Sequence, residues 1–263
     1  MATYDYGEIL FTGRCNLSCF YCLGREMEKD VYDTSANEVH FRNWKNFNLW
    51  LSSLKDSNTP KIYLSSTNSE PLLYPYLEEL ILFLKEKGFK VGIRTNGFKD
   101  MTVCSLCDEE ISVSLQSLNP DTFKKITGKN LAFDIIKNIS SIKSPAPLRV
   151  SIVVNRYNEK EVIDMLEVLK NLDISYVQLR KVYKYNNTKD FDEDILAYYR
   201  VKAAFRAFKK IGNFKESEIF DYGGLNVSFW DSVFSKESIR SSNYWTDGHC
   251  TLNNLLVPGY KGE

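Results

Sequence analysis

The sequence has only two histidines, His40 and His249, and its 34 Lys and Arg balance 34 Asp and Glu. With histidine so scarce, no imidazole stands near the cysteines in sequence to complete a four-ligand metal site. Without a global basic excess, nothing advertises nucleic acid as a partner, and none is expected. No uninterrupted apolar window of about 18 residues occurs, so no membrane-spanning helix is predicted. The opening Met1-Ala2-Thr3-Tyr4-Asp5-Tyr6-Gly7-Glu8 has neither a basic start nor an apolar run, which predicts no secretory signal. Six cysteines in a chain of 263 residues without such a signal do not read as a disulfide framework. Reduced thiols and a cytoplasmic location are expected. No repeat or low-complexity tract is visible.

Apolar residues make up 43%, charged residues 26% and aromatic residues 14% of the chain. These are globular proportions, and the length suits one large domain or one domain with an extension. Short runs of β character alternate with longer segments of helical spacing. The predicted strands are 6–12, 61–65, 90–95, 110–116, 148–154 and 176–182. Helices are predicted over 38–56, 75–87, 99–108, from Asn119-Pro120-Asp121 onward, over 131–143, 158–172 and 191–211. Residues 23–37 read as a polar loop, and 223–230 alternate like an edge strand ahead of a loop-rich ending through Val257-Pro258-Gly259. Strands that alternate with helices predict an α/β fold with a parallel sheet and outer helices. The site of such a fold lies in the loops after the strand carboxyl ends.

A second pattern locates a ligand. Ile111, Val113 and Leu115 alternate with Ser112, Ser114 and Gln116. Val150, Ile152 and Val154 are set against Ser151 and Asn155, Val177 and Leu179 against Gln178 and Arg180, and Val91 and Ile93 against Gly92 and Arg94. A period of two sends neighbours to opposite faces. The apolar set faces the helices. A sheet face covered by protein alone reads as continuously apolar, so the polar face is expected to meet a polar ligand.

Half of the cysteines, Cys15, Cys19 and Cys22, fall within the run Cys15-Asn16-Leu17-Ser18-Cys19-Phe20-Tyr21-Cys22 directly after the first strand. Three thiolates on one short loop suit a metal centre, and packing does not call for that recurrence. Three protein ligands leave one position open. An iron–sulfur cluster, a zinc-stabilised binding module and a metal-free loop are the readings of these residues. The zinc module would be colourless and stable in air. Cys104 and Cys107 suit buried helix positions rather than a second cluster with Cys250. His249 and Cys250 read as a pocket rim, and Trp230, Tyr244 and Trp245 as packing.

The C-x3-C-x2-C spacing, with an aromatic before the last cysteine and after a first strand, resembles the radical S-adenosylmethionine (SAM) superfamily. The resemblance covers about residues 6–183 and implies a partial (β/α)6 TIM-like barrel. That barrel would occupy 1–190, with residues 191–263 as a C-terminal extension covering its opening. Cys15, Cys19 and Cys22 would hold a 4Fe-4S cluster, and SAM would bind its open iron. Reductive cleavage would yield a 5′-deoxyadenosyl radical that removes a hydrogen atom from substrate. The resemblance places Tyr21 beside the adenine. Ser69 and Glu70 match the end of a Gly-Gly-Glu-Pro motif, although Asn68 and Ser69 stand where the family usually has glycines. Asn96, Ser112, Ser114, Ser151 and Asn155 match further SAM-contacting stretches. No auxiliary-cluster domain is evident. An oxygen-sensitive enzyme is implied, with an electron donor such as flavodoxin or ferredoxin. The substrate is expected to be a small anionic or nucleotide-like molecule, met by Arg94, Gln116, Gln178 and Arg180 with Lys181 nearby, or else a peptide segment.

Overall fold

The computed structural model describes residues 4–22, 24, 38–66, 68–130, 135–183, 190–214, 217–231 and 241–252. The expected 23–37 loop apart from Gly24, the start of the helix expected over 131–143, and Val257-Pro258-Gly259 lie outside the described residues. Six parallel strands run side by side in chain order: β1 (Tyr6–Phe11), β2 (Lys61–Ser66), β3 (Lys90–Thr95), β4 (Ile111–Ser114), β5 (Leu148–Val154) and β6 (Tyr176–Lys181). Between and after them lie α1 (Phe47–Asp56), α2 (Leu77–Glu86), α3 (Pro120–Thr127), α4 (Ile135–Ser141), α5 (Val162–Leu169) and α6 (Asp192–Ala204). This is the predicted α/β arrangement.

The outer face of the sheet is apolar, as the alternation requires. Ile9, Phe11, Ile62, Leu64, Val91, Ile93, Ile111, Val113, Val150, Ile152, Val177 and Leu179 are fully buried in one hydrophobic core beneath the helices. Helix ends follow local chemistry. The Asn119 side chain accepts from the backbone N–H groups of Asp121 and Thr122, and Pro120 occupies the first turn, where its missing N–H costs nothing.

Three expectations need correction. The crossover from β3 to β4 carries a 3-10 turn, Thr102–Leu106, in place of an α-helix over 99–108. Helix α6 stops at Ala204, not near 211, because the chain turns at Phe205–Ala207 and enters β7 (Lys209–Phe214). The expected edge strand is interior: β9 (Leu225–Trp230) pairs in parallel with β6 and antiparallel with β8 (Ser217–Tyr222). The later segment is also more ordered than its loop-like composition suggests. There β10 (Ser241–Trp245) pairs in parallel with β1, and β11 (Cys250–Leu252) pairs with β10. One 11-stranded sheet results, in the order β11-β10-β1-β2-β3-β4-β5-β6-β9-β8-β7. Strands after residue 190 therefore extend both flanks of the six-stranded centre. No described helix is long and apolar enough to cross a membrane.

Candidate active site

The inner face of the sheet lines a cavity of about 790 Å³. Most strands contribute residues of a single parity to its wall, and the parity breaks only at the carboxyl ends of β2 and β3, where Ser66 and Thr95 join. β2 gives Lys61, Tyr63 and Ser65, β4 gives Ser112 and Ser114, β5 gives Arg149 and Ser151, β6 gives Gln178 and Arg180, and β9 gives Asn226, Ser228 and Trp230. The carboxyl ends of β2 and β3 add Ser69, Glu70 and Asn96. Of the sequence candidates, Ser69, Glu70, Arg94, Asn96, Ser112, Ser114, Ser151, Gln178 and Arg180 thus share one cavity. The polar residues that the alternation predicted are in this wall, mixed with aromatic and aliphatic ones such as Tyr63, Phe214 and Ile219.

The cysteine loop leaves β1 at this same carboxyl end. It is pinned to α3 by backbone bonds from Ser18 N–H to Thr127 O, 2.7 Å, and from Phe20 N–H to Ile126 O, 3.1 Å. Gly128 ends α3 at φ +71°, and an added Cβ there would sit 3.0 Å from the Ser18 Cβ. Glycine is what lets helix and loop approach in this left-handed conformation. All three loop cysteines are half-buried. Burial pushes the Cys15 thiol up to about 11, while the Leu17 N–H and the Asn96 amide pull it down. Tyr21 stacks edge-on against Phe20 and donates its hydroxyl to Gln116. Burial, with Cys19 and Cys22 nearby, holds that phenol protonated.

Glu70 is buried and fully engaged. Its Oε1 accepts from Thr95 Oγ1 at 2.5 Å and from Leu72 N–H at 3.1 Å, and its Oε2 accepts from Asn96 N–H at 2.8 Å. Desolvation raises its pKa to about 7 against the pull of those bonds. Glu70 therefore ties the loop after β2 to the end of β3. The Asn155 side chain is spent within its own turn, donating to Val153 O and accepting from Tyr157 N–H. It does not line the cavity.

The arginines divide into two kinds. Arg94 pairs with buried Glu8 and lies 4.8 Å over the Tyr63 ring. Gly92 makes room for that ring, because an added Cβ would meet it at 2.6 Å. Arg149 bonds Glu110 at 3.1 Å, Ser112 Oγ at 3.1 Å and Gln178 Oε1 at 3.2 Å. Arg180 has no acidic partner among the described residues. Burial and the neighbouring Arg149 and Arg94 lower its pKa to about 10. Arg94 is thus paired with Glu8 inside the protein, while its Nε is buried without a hydrogen-bond partner among the described residues. Lys181 points away from the cavity, toward Tyr199 on α6.

Arg149 escaped the sequence reading although its parity matches Ser151. Ser228 escaped because its strand was placed at an edge, and Trp230, expected as packing, lines the cavity instead. Cys104 and Cys107 are buried core residues, as expected, and burial raises both thiols. Tyr244 and Trp245 are core packing. His249 and Cys250 are exposed and line no part of the cavity, so the rim assignment is withdrawn.

The residues fit the implied cofactors. Ser151 Oγ on the cavity wall and Asn68 Oδ1 are buried without a hydrogen-bond partner among the described residues, a state that suits a polar ligand. Among the described residues no three His, Cys, Asp or Glu side chains are arranged to hold a single metal ion. Zinc needs its thiolates within about 4 Å of one another. A four-iron cluster spreads three thiolates over three irons and suits this loop better.

The family model of the Radical SAM superfamily matches residues 9–197. The chain belongs to the radical SAM superfamily. Its cofactors are accordingly a 4Fe-4S cluster and SAM. Among curated relatives, a "Probable GTP 3',8-cyclase" of Saccharolobus islandicus is 34% identical over 190 residues, 67% of this chain and 56% of the relative. A "Probable GTP 3',8-cyclase" of Sulfolobus acidocaldarius is 27% identical over 184 residues, 67% of this chain and 55% of the relative. The chain thus spans about half the length of these radical SAM relatives. Among solved structures, SuiB of Streptococcus suis bound to S-adenosylmethionine superimposes with a TM-score of 0.68 at 13% identity, over 99% of this chain and 62% of that one. TYW1 with a lysine-pyruvate adduct gives 0.54 at 18% identity, over 79% and 74%. These likenesses support the partial-barrel fold of a radical SAM enzyme.

Proposed function

We propose that this radical SAM enzyme removes a hydrogen atom from a small anionic, nucleotide-like substrate whose negative group pairs with Arg180. The observation that carries this reading is the contrast among the cavity arginines: Arg94 and Arg149 have internal carboxylates, and Arg180 has none among the described residues. A half-buried guanidinium in a confined cavity favours a bidentate anion such as phosphate or carboxylate. The relatives carrying the name GTP 3',8-cyclase support a nucleotide as the first compound to test.

When bound, the cluster would supply the electron for reductive cleavage of SAM, the source of the hydrogen-abstracting power. The chain's own residues do the rest. Cys15, Cys19 and Cys22 hold the cluster. Tyr21, Ser69, Asn96, Ser112, Ser114 and Ser151 position SAM, with Glu70 bracing the loop under it. Gln178, Gln116 and Arg180 orient the substrate. The 191–263 extension narrows the opening with Phe214 and Trp230, which keeps water and stray hydrogen donors from the reacting carbon. A reducing compartment, the cytoplasm, and a flavodoxin- or ferredoxin-type donor complete the scheme.

A second reading, modification of a peptide segment, is favoured by the apolar lining residues Phe214, Ile219 and Trp230. Anaerobically reconstituted protein, dithionite and SAM are assayed for 5′-deoxyadenosine with GTP, other nucleotides or peptides added. Nucleotide-stimulated product, with the nucleotide KM raised in Arg180→Gln, is the expected result. Stimulation by peptide alone overturns the substrate. A raised SAM dissociation constant with unchanged nucleotide KM moves Arg180 to the cofactor.

A further inference from the structure

We propose that Asn96 sets the reduction potential of the cluster by donating a hydrogen bond from Nδ2 to the Cys15 thiolate. The distance from Asn96 Nδ2 to Cys15 Sγ is 3.6 Å, and Leu17 N–H lies 3.4 Å from the same sulfur. These two donors approach Cys15 from opposite ends of the site, one from its own loop and one from the end of β3.

The direction of the Asn96 amide follows from its neighbours. Phe98 N–H can only donate, and it meets Asn96 Oδ1 at 2.9 Å. The oxygen must therefore face Phe98, which turns the NH2 group toward the cysteine loop. One of its hydrogens reaches Asn16 Oδ1 at 2.7 Å, and Asn16 Nδ2 returns a bond to Phe98 O at 3.3 Å. The three groups close a ring of hydrogen bonds between the cysteine loop and the turn after β3. The second Asn96 hydrogen is left for the sulfur. The backbone is held as well, since Asn96 N–H donates to Glu70 Oε2 at 2.8 Å. The Cys15 thiol also lies 3.6 Å from Asn16 Oδ1. As a thiolate it has no proton to give, and Asn16 Oδ1 keeps its bond from Asn96.

The physical effect has a definite sign. Reduction adds negative charge to the cluster and its thiolates. A donor aimed at a ligand sulfur stabilises the reduced state more than the oxidised one, and so raises the potential. Asn96 acts through Cys15, so it is a positioning residue and touches no reacting atom by this bond. The inference concerns electron entry and stands apart from the identity of the substrate.

The test is an EPR-monitored redox titration of the anaerobically reconstituted holoenzyme, with ENDOR of the reduced cluster after exchange into D2O. Asn96→Ala is expected to shift the reduction equilibrium about ten-fold toward the oxidised cluster, about 59 mV for a one-electron couple. One exchangeable-proton coupling should vanish, with iron and sulfide content unchanged. Asn96→Ser is the second variant: its hydroxyl can keep the turn bond to Phe98 N–H but is too short to reach the sulfur. It should show the same two changes. An unchanged potential in fully loaded variants overturns the proposal. So does a shifted potential with the proton coupling retained, which would mean that Asn96 merely shapes the loop. Failure of both variants to hold a cluster likewise assigns Asn96 to folding and ends the proposal.

Discussion

The floor and the upper wall of the cavity are built from the same residue types and behave differently. At the floor, Arg94 meets Glu8 and Arg149 meets Glu110, with the Tyr176 hydroxyl also given to Glu110. At the upper wall, Arg180 has no acidic partner and Ser151 Oγ no hydrogen-bond partner among the described residues. Polar residues of the first kind are tied to internal carboxylates, and we propose that those of the second kind meet a ligand. An inward polar side chain becomes evidence of binding only after its protein partners have been counted.

Four experiments test this division. The largest effect is expected from the loop itself: Cys19→Ala should lose the cluster's brown absorbance and bring 5′-deoxyadenosine formation to background. Next comes an exchange of outcomes between two arginines. Arg180→Gln should raise the substrate KM by the equivalent of about 2–5 kcal/mol and leave the denaturation midpoint alone. Arg94→Gln should do the reverse, costing about 3–5 kcal/mol of stability because it strands buried Glu8. Equal effects on KM from both would erase the distinction.

The third experiment concerns Glu70, whose pKa is raised from 4.5 to about 7 by burial. Between those values the folded protein holds a proton that the unfolded chain releases. Stability should therefore fall as pH rises from about 4.5 to about 7 and level off above, by about 3 kcal/mol in all. Glu70→Gln should flatten that slope in anaerobic denaturation curves taken across the range. The smallest effect is expected at Ser151. Replacing it by alanine should weaken SAM binding by about 1 kcal/mol, roughly five-fold, with no loss of stability, since its hydroxyl bonds nothing among the described residues. Ser112→Ala, which also removes a partner of Arg149 Nε, should lower stability in addition to weakening SAM binding.

Much of this was legible in the sequence because it is periodic or clustered. The alternation of Ser112, Ser114, Ser151, Gln178 and Arg180 with buried aliphatics named the inner face, and three cysteines in eight residues named the loop. What escaped depends on contacts between distant positions. Glu8 stands in a strand whose other residues read as apolar, so nothing local marks it as the partner of Arg94. Glu70 resembles a ligand in its motif, and only the fold reveals Thr95 and Asn96 closing on it. The run 223–230 has the alternation of an edge strand, and its parallel neighbour β6 cannot be deduced from its own residues. The same is true of β10, whose parallel neighbour β1 lies at the other end of the sequence.

The pairing of β10 with β1 also bears on the order of events during synthesis. Strand β1 carries the cysteine loop, yet its outer neighbour is made more than two hundred residues later. Thr12 N–H is bonded to Thr246 Oγ1 across 234 positions, and Trp50 Nε1 reaches Ser242 Oγ across 192. Contacts so distant along the chain form late and slow the search for the native state. While the ribosome is still extending the chain, the segment that receives iron and sulfide lies against an unfinished flank. The outer hydrogen bonds of β1 can form only once β10 has been made.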